Sequence, residues 1–125
     1  MYWVAEMIEF VLTNAEKIDS AAVDRGGAVT VTYRTKAGQR EEKRIRHPKK
    51  WVSMARDVRR YCEQDEPSYK GFFQSRYDMC EEWRDACKRL GISKDTYYAM
   101  RADVLRMGEL YAVYRGAVAP MDCRI

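Results

Sequence analysis

WRDACKRLGISKDTYYAMRADVL, residues 83–105, is the stretch on which the reading of this chain turns. A short amphipathic segment runs into Gly91, and a second follows it with polar and aromatic tips. Two helices that cross tightly need a small residue where the second approaches the first. They also need a turn residue that accepts left-handed backbone angles, which glycine does at no steric cost. Ala86 and Cys87 supply the small positions, Gly91 the turn, and Leu90, Ile92, Tyr97 and Met100 the apolar contacts that lock the pair. Ser93 or Asp95 suits the N-cap of the second helix, since a side-chain oxygen there accepts from free backbone N–H groups. The pattern predicts a helix-turn-helix, and a plain helical hairpin would satisfy the same offsets.

This helical phase leaves Lys94, Asp95, Tyr98 and Arg101 pointing outward near the start of the second helix. In groove-binding helix-turn-helix proteins that end meets base edges, and its free N–H groups approach phosphate. Lys94, Tyr98 and Arg101 are therefore the expected base contacts, with Ser93, Thr96 and Arg84 the expected phosphate contacts nearby.

Upstream of the motif, Trp3, Met7, Ile8, Val11, Ala15 and Ile18 recur at threes and fours, which predicts a helix over residues 2–20. AAVDRGG breaks it, with Gly26 and Gly27 as the stop. In AVTVTYRT, Val29, Val31 and Tyr33 alternate with polar residues as in a strand. KAGQ supplies a turn, and REEKRIRH reads as the return strand; a ribbon with one apolar face must lie against a helix. His47-Pro48 opens a second helix through residue 62, with Trp51, Met54, Ala55, Val58, Tyr61 and Cys62 on one face. EQDEPSYKG interrupts it, FFQSRYDM forms a short helix, and AVAPMDCRI is an irregular tail. The expected fold is mainly α with a small antiparallel β-hairpin: helix, ribbon, then helices ending in the helix-turn-helix. At 125 residues the chain reads as one domain. Residues 1–66 hold the first helix, hairpin and basic helix, 67–116 the helix-turn-helix region, and 117–125 the tail.

EEWRDACKRLGISKDTYYAMRADVLRMGEL also resembles the sigma-factor region 4-like helix-turn-helix of small phage transcriptional regulators, the ArpU and RinA group. The residues that carry the resemblance are Trp83, Arg84, Leu90, Gly91, Ile92, Ser93, Thr96, Tyr97 and Tyr98. It spans roughly residues 72–112, about a third of the chain. It implies sequence-specific binding of double-stranded DNA and a role in phage or prophage gene control.

Charge is unevenly placed. Eleven bases face three acids between Arg34 and Arg60, an excess of eight in a chain whose formal net charge is +4. Such a segment suits a polyanionic partner, and Arg44, Arg46, Lys49 and Lys50 are its expected phosphate contacts; it would also suit a solvated helix face beside a polar hairpin. A homodimer would lengthen the DNA target, with the apolar first helix as its surface or as part of the core. The second helix of the motif carries few bases. That leaves open an alternative partner, a host nucleic-acid-processing protein such as a polymerase or a CRISPR nuclease, which the chain would inhibit or redirect.

Other classes find little support. Catalysis needs convergent groups; here there is one histidine, no Gly-rich phosphate loop and no acid pair, Asp57 and Glu63 being six apart and Glu81 and Asp85 reading as solvated helix carboxylates. The reading is therefore not an enzyme and without cofactor. Cys62, Cys80, Cys87 and Cys123 form no CxxC pair, which predicts no metal site and reduced, mostly buried thiols. MYWVAEMIEFVL carries Glu6 and Glu9 and lacks a basic leader, and no apolar run nears the roughly 18 residues of a membrane span. A cytoplasmic protein of the host cell, with no membrane partner, is the resulting expectation.

Overall fold

The computed structural model describes residues 2–22 and 27–123. Helix accounts for 69% of it and is joined by one two-stranded antiparallel sheet, the fold class that the residue pattern predicts. Gly26, half of the expected glycine stop, and the last two tail residues, Arg124 and Ile125, lie outside the described residues.

Helix α1 (Trp3–Ala22) buries Val4, Ile8, Val11, Leu12 and Ile18, one stripe at helical spacing. The stripe is rotated slightly from expectation, so Trp3 is exposed and Met7 and Ala15 sit at its edge. The Thr13 hydroxyl and Asn14 amide donate back to the Glu9 and Phe10 carbonyls, and Asn14 leaves helical angles (φ −119°, ψ 21°). Such back-bonding bends a helix, and α1 kinks there.

Strands β1 (Val29–Arg34) and β2 (Arg40–Ile45) pair from Val29 opposite Ile45 to Arg34 opposite Arg40. Val29, Val31 and Ile45 form the ribbon's buried face, and Tyr33 meets Phe10 of α1 edge-on at 4.9 Å. The ribbon thus finds its required helix in α1. The return strand stops at Ile45 rather than His47, because His47 takes a left-handed conformation (φ 55°) that turns the chain into the next helix.

Helix α2 (Pro48–Arg60) buries Trp51, Val52, Met54, Ala55 and Val58. It runs into a π turn (Tyr61–Asp65) that carries Cys62 into the core. A 3₁₀ turn (Pro67–Tyr69), the short α3 (Lys70–Phe73) and a second π turn (Gln74–Asp78) follow. The expected short helix at residues 72–79 is therefore α only at Phe72 and Phe73, both buried, and π from Gln74 to Asp78. Left-handed Cys80 (φ 50°) redirects the chain into α4 (Trp83–Leu90), the Gly91 turn and α5 (Lys94–Tyr114).

Helix α5 packs on α1, α2 and α4. At its closest approach a Cβ on Gly108 would stand 2.6 Å from Ile8 Cγ2, so only glycine admits α1 there. Near its C-terminus, Arg115 donates to Asp57 from Nε at 2.6 Å and Nη2 at 2.8 Å, and Arg60 adds a third bond at 3.1 Å. The Asp57 side chain is 3% exposed, so these bonds replace its lost hydration. One continuous apolar cluster joins α1, the ribbon, α2, α3, α4 and α5.

The cysteines depart from expectation: all four are free, yet only Cys62 is buried, Cys80 is exposed and Cys87 and Cys123 are half-buried. Burial pushes the Cys62 thiol up to about 12, which leaves it protonated at neutral pH. Among the described residues no helix is long and apolar enough to cross a membrane, and no three His, Cys, Asp or Glu side chains converge as metal ligands.

Candidate nucleic-acid interface

The turn between α4 and α5 is built as its residues dictate. Gly91 takes φ 68°, and the Ile92 N–H closes the end of α4 by donating to the Cys87 carbonyl at 3.1 Å. Ser93 caps α5: its hydroxyl oxygen accepts from the Thr96 N–H at 3.1 Å and its proton goes to Thr96 Oγ1 at 3.0 Å. Ala86 is wholly buried where α5 crosses α4, and Tyr97 is wholly buried between Phe72, at 5.0 Å, and Tyr98, at 5.3 Å.

The outward surface gathers around Trp83. The Lys94 ammonium lies 4.9 Å from its ring centroid and the Arg84 guanidinium 5.2 Å, while the Tyr98 ring sits 6.4 Å away. Stacked cations of this kind are held in place without a carboxylate, so their charge stays available to an anion. Lys94, Tyr98, Arg84, Ser93 and Thr96 are thus brought to one exposed end of the α4–α5 pair. The sequence-based expectations missed Trp83 as the organiser; its place four residues before the small Cys87 was the available signal.

Arg101 is not on that surface. It turns inward and bonds Glu9 at 2.6 Å, beside Arg76, which holds the same carboxylate from Nε and Nη2 at 3.2 and 2.8 Å. Arg76 also donates to the Tyr97 hydroxyl at 3.0 Å. Burial opposes ionisation of Glu9, yet the Arg76 guanidinium, aided by Arg101, outweighs it and holds the carboxyl below its ordinary value. An arginine seven residues after Lys94 is nearly two turns on, and the carboxylate of α1 draws it into the helix packing. The face that continues from Lys94 and Tyr98 instead presents Ala99 and Ala102.

The basic segment divides in two. Arg44, Arg46, Lys49 and Lys50 are exposed, but at the open end of the hairpin and the start of α2. Lys50 Nζ lies 3.6 Å from where a Gly116 Cβ would be, just past the far end of α5. With 21 residues in α5, that is roughly 30 Å from the helix's first turn. These four therefore do not join Lys94 and Tyr98. The hairpin tip does: Arg34, Thr35 and Lys36 share a groove of about 450 Å³ with Trp83, Tyr97 and Tyr98. No sequence signal foretold that adjacency, since it depends on how the ribbon lies along α1.

Comparison with known protein families, with curated proteins and with solved structures gave no match for this chain.

Proposed function

We propose that this chain binds double-stranded DNA in a sequence-dependent way and acts as a regulator of phage or prophage transcription. The observation that carries the reading is the exposed first turn of α5, with Lys94 and Tyr98 on one side of a capped, glycine-turned helix pair, Arg84 beside them at Trp83 and Thr96 exposed at the Ser93 cap. The slim Ala99 and Ala102 face would let that end enter a major groove, with Lys94 and Tyr98 at base edges and Arg84, Ser93 and Thr96 toward phosphate. The resemblance of residues 72–112 to phage regulators of the ArpU and RinA group supports the same reading. Arg101 is omitted from the proposed contacts because its guanidinium bonds Glu9.

The test is fluorescence anisotropy of the full chain with labelled duplexes across a salt series. Binding that weakens with salt, differs between sequences and falls about tenfold in Lys94→Ala or Tyr98→Ala is expected, a loss of about 1.4 kcal/mol. Salt-insensitive or sequence-blind binding would count against it.

A second reading, docking on a host nucleic-acid-processing protein, draws on two observations. Withdrawal of Arg101 leaves α5 with one basic side chain in its first two turns, and Leu110 and Tyr114 expose large apolar surfaces at its other end. The apolar stripe of α1 lies in the core, so a homodimer would have to use such exposed surfaces instead.

A further inference from the structure

The ribbon ends in three cations that no carboxylate among the described residues compensates. Arg34 stands directly opposite Arg40 on the last rung, and Lys36 follows in the turn. All three are exposed, and among the described residues none pairs with a carboxylate; Arg34 donates only to the Gly38 carbonyl, at 3.2 Å. Like charges directly opposite each other in a ribbon are destabilising, and an anion bridging them removes that repulsion. Arg34 and Lys36 line a groove with Trp83 and Tyr98, the organisers of the exposed turn of α5, on its other side, and Arg40 stands beside Arg34 on the adjoining surface.

The acids that line the groove are mostly engaged. Glu9 is held by Arg76 and Arg101, and Glu81 by Arg89 at 3.1 Å and Ser75 at 2.6 Å. Glu82 remains exposed, and its side chain makes no capping bond to α4 although it occupies the cap position.

We infer that Arg34, Lys36 and Arg40 grip the phosphate backbone of the duplex that α5 enters, with one strand seated between the hairpin tip and Trp83. This rests on the reading of α5 as a DNA-reading helix. The tip fixes register and adds salt-sensitive affinity without reading bases, whereas Arg46 and Lys50, past the open end of the ribbon and roughly 20 Å or more from the tip, lie outside this contact.

Arg34→Gln with Lys36→Gln, compared with Arg46→Gln with Lys50→Gln, tests this in the full chain with a labelled mixed-sequence duplex. Each phosphate contact contributes about 0.9 to the slope of log affinity against log salt, so the tip pair should lower the slope by roughly 1.8 and the second pair should leave it unchanged. Sequence preference should persist in the tip variant. Lys36→Gln alone, which disturbs no hydrogen bond of the turn, should lower the slope by about half as much. Glu82→Gln should tighten binding. Circular dichroism melts identify any variant that has lost its fold. An unchanged slope in the tip variants, or a fall only in the Arg46 and Lys50 pair, overturns the inference while Tyr98→Ala still reports on α5. Absence of any duplex binding by the wild-type chain overturns both.

Discussion

Tyr97 and Tyr98 are neighbours in sequence with opposite duties. Tyr97 is wholly buried, packed edge-on against Phe72, and takes a hydrogen bond from Arg76. Tyr97→Asp buries a carboxylate in apolar surroundings and should abolish cooperative unfolding or lower stability by more than about 4 kcal/mol in urea titration. Tyr97→Phe keeps the ring and loses one charge-assisted bond, so a loss of roughly 1.5–3 kcal/mol is expected. Tyr98 is 37% exposed. Tyr98→Ala should change stability by about 1 kcal/mol, the worth of its ring contacts, while impairing duplex binding. A large loss of stability there, or an unchanged affinity, would remove Tyr98 from the proposed surface. The offset of each tyrosine from Gly91 was enough to separate them. Arg101 was misread from the same offsets because its partner, Glu9, lies 92 residues earlier and is brought to it only by packing.

Single elements carry two roles, and α5 most of all. Its first turns are exposed and capped, while its later turns bury Val104, Gly108 and Ala112. Gly108→Ala would gain helix propensity of about 1 kcal/mol but drive a Cβ against Ile8. The overlap dominates, and a net loss of about 1–3 kcal/mol is expected in thermal or urea unfolding. Ile8→Val in the same chain, which trims the Cδ1 methyl and leaves the Cγ2 clash, should recover little of it; Ile8→Ala removes both methyls and should show strong coupling with Gly108→Ala in a double-mutant cycle. Ser93→Ala should cost about 1 kcal/mol through its lost cap. The two long helices, the capped turn and the ribbon were all legible as periodicity and turn chemistry. The π turns at Tyr61–Asp65 and Gln74–Asp78, which carry buried Cys62 and Tyr77, were not, since an extra residue in one turn leaves no periodicity or capping pattern in a short stretch of sequence.

Across the whole molecule, two engaged carboxylates tie distant segments together: Glu9 joins α1 to Arg76 and Arg101, and Asp57 joins α2 to Arg115. Glu9 is held below its ordinary 4.5 by the balance described above, and Asp57 is held below 3.8 chiefly by its Arg115 hydrogen bond. A carboxyl lowered on folding stabilises the protein above its unfolded value, and that stabilisation drains away as pH falls through the folded value. Urea midpoints should therefore hold steady between neutrality and about pH 5, then fall below the ordinary carboxylate range. Glu9→Gln should lower stability at pH 7 by roughly 3 kcal/mol, since it strands two partly buried guanidinium groups, and should flatten the acid limb. An acid limb unchanged by Glu9→Gln would mean that this cluster does not govern acid unfolding.

By itself the sequence determined the helices, the ribbon, the Gly91 turn, the Ser93 cap and the exposed placement of Lys94 and Tyr98, because periodicity, turn angles and capping act between residues a few positions apart. Tertiary structure alone decided that Arg101 turns inward, that the basic segment splits into a hairpin tip beside the start of α5 and a group at the ribbon's open end whose Lys50 lies roughly 30 Å from that turn, and that Trp83 collects the cations of the exposed turn. The physical reason is range. Charge and apolarity are written residue by residue, but which charges meet depends on the angle at which α1 carries the ribbon past α5, and packing around Ile8, Gly108, Phe10 and Tyr33 sets that angle.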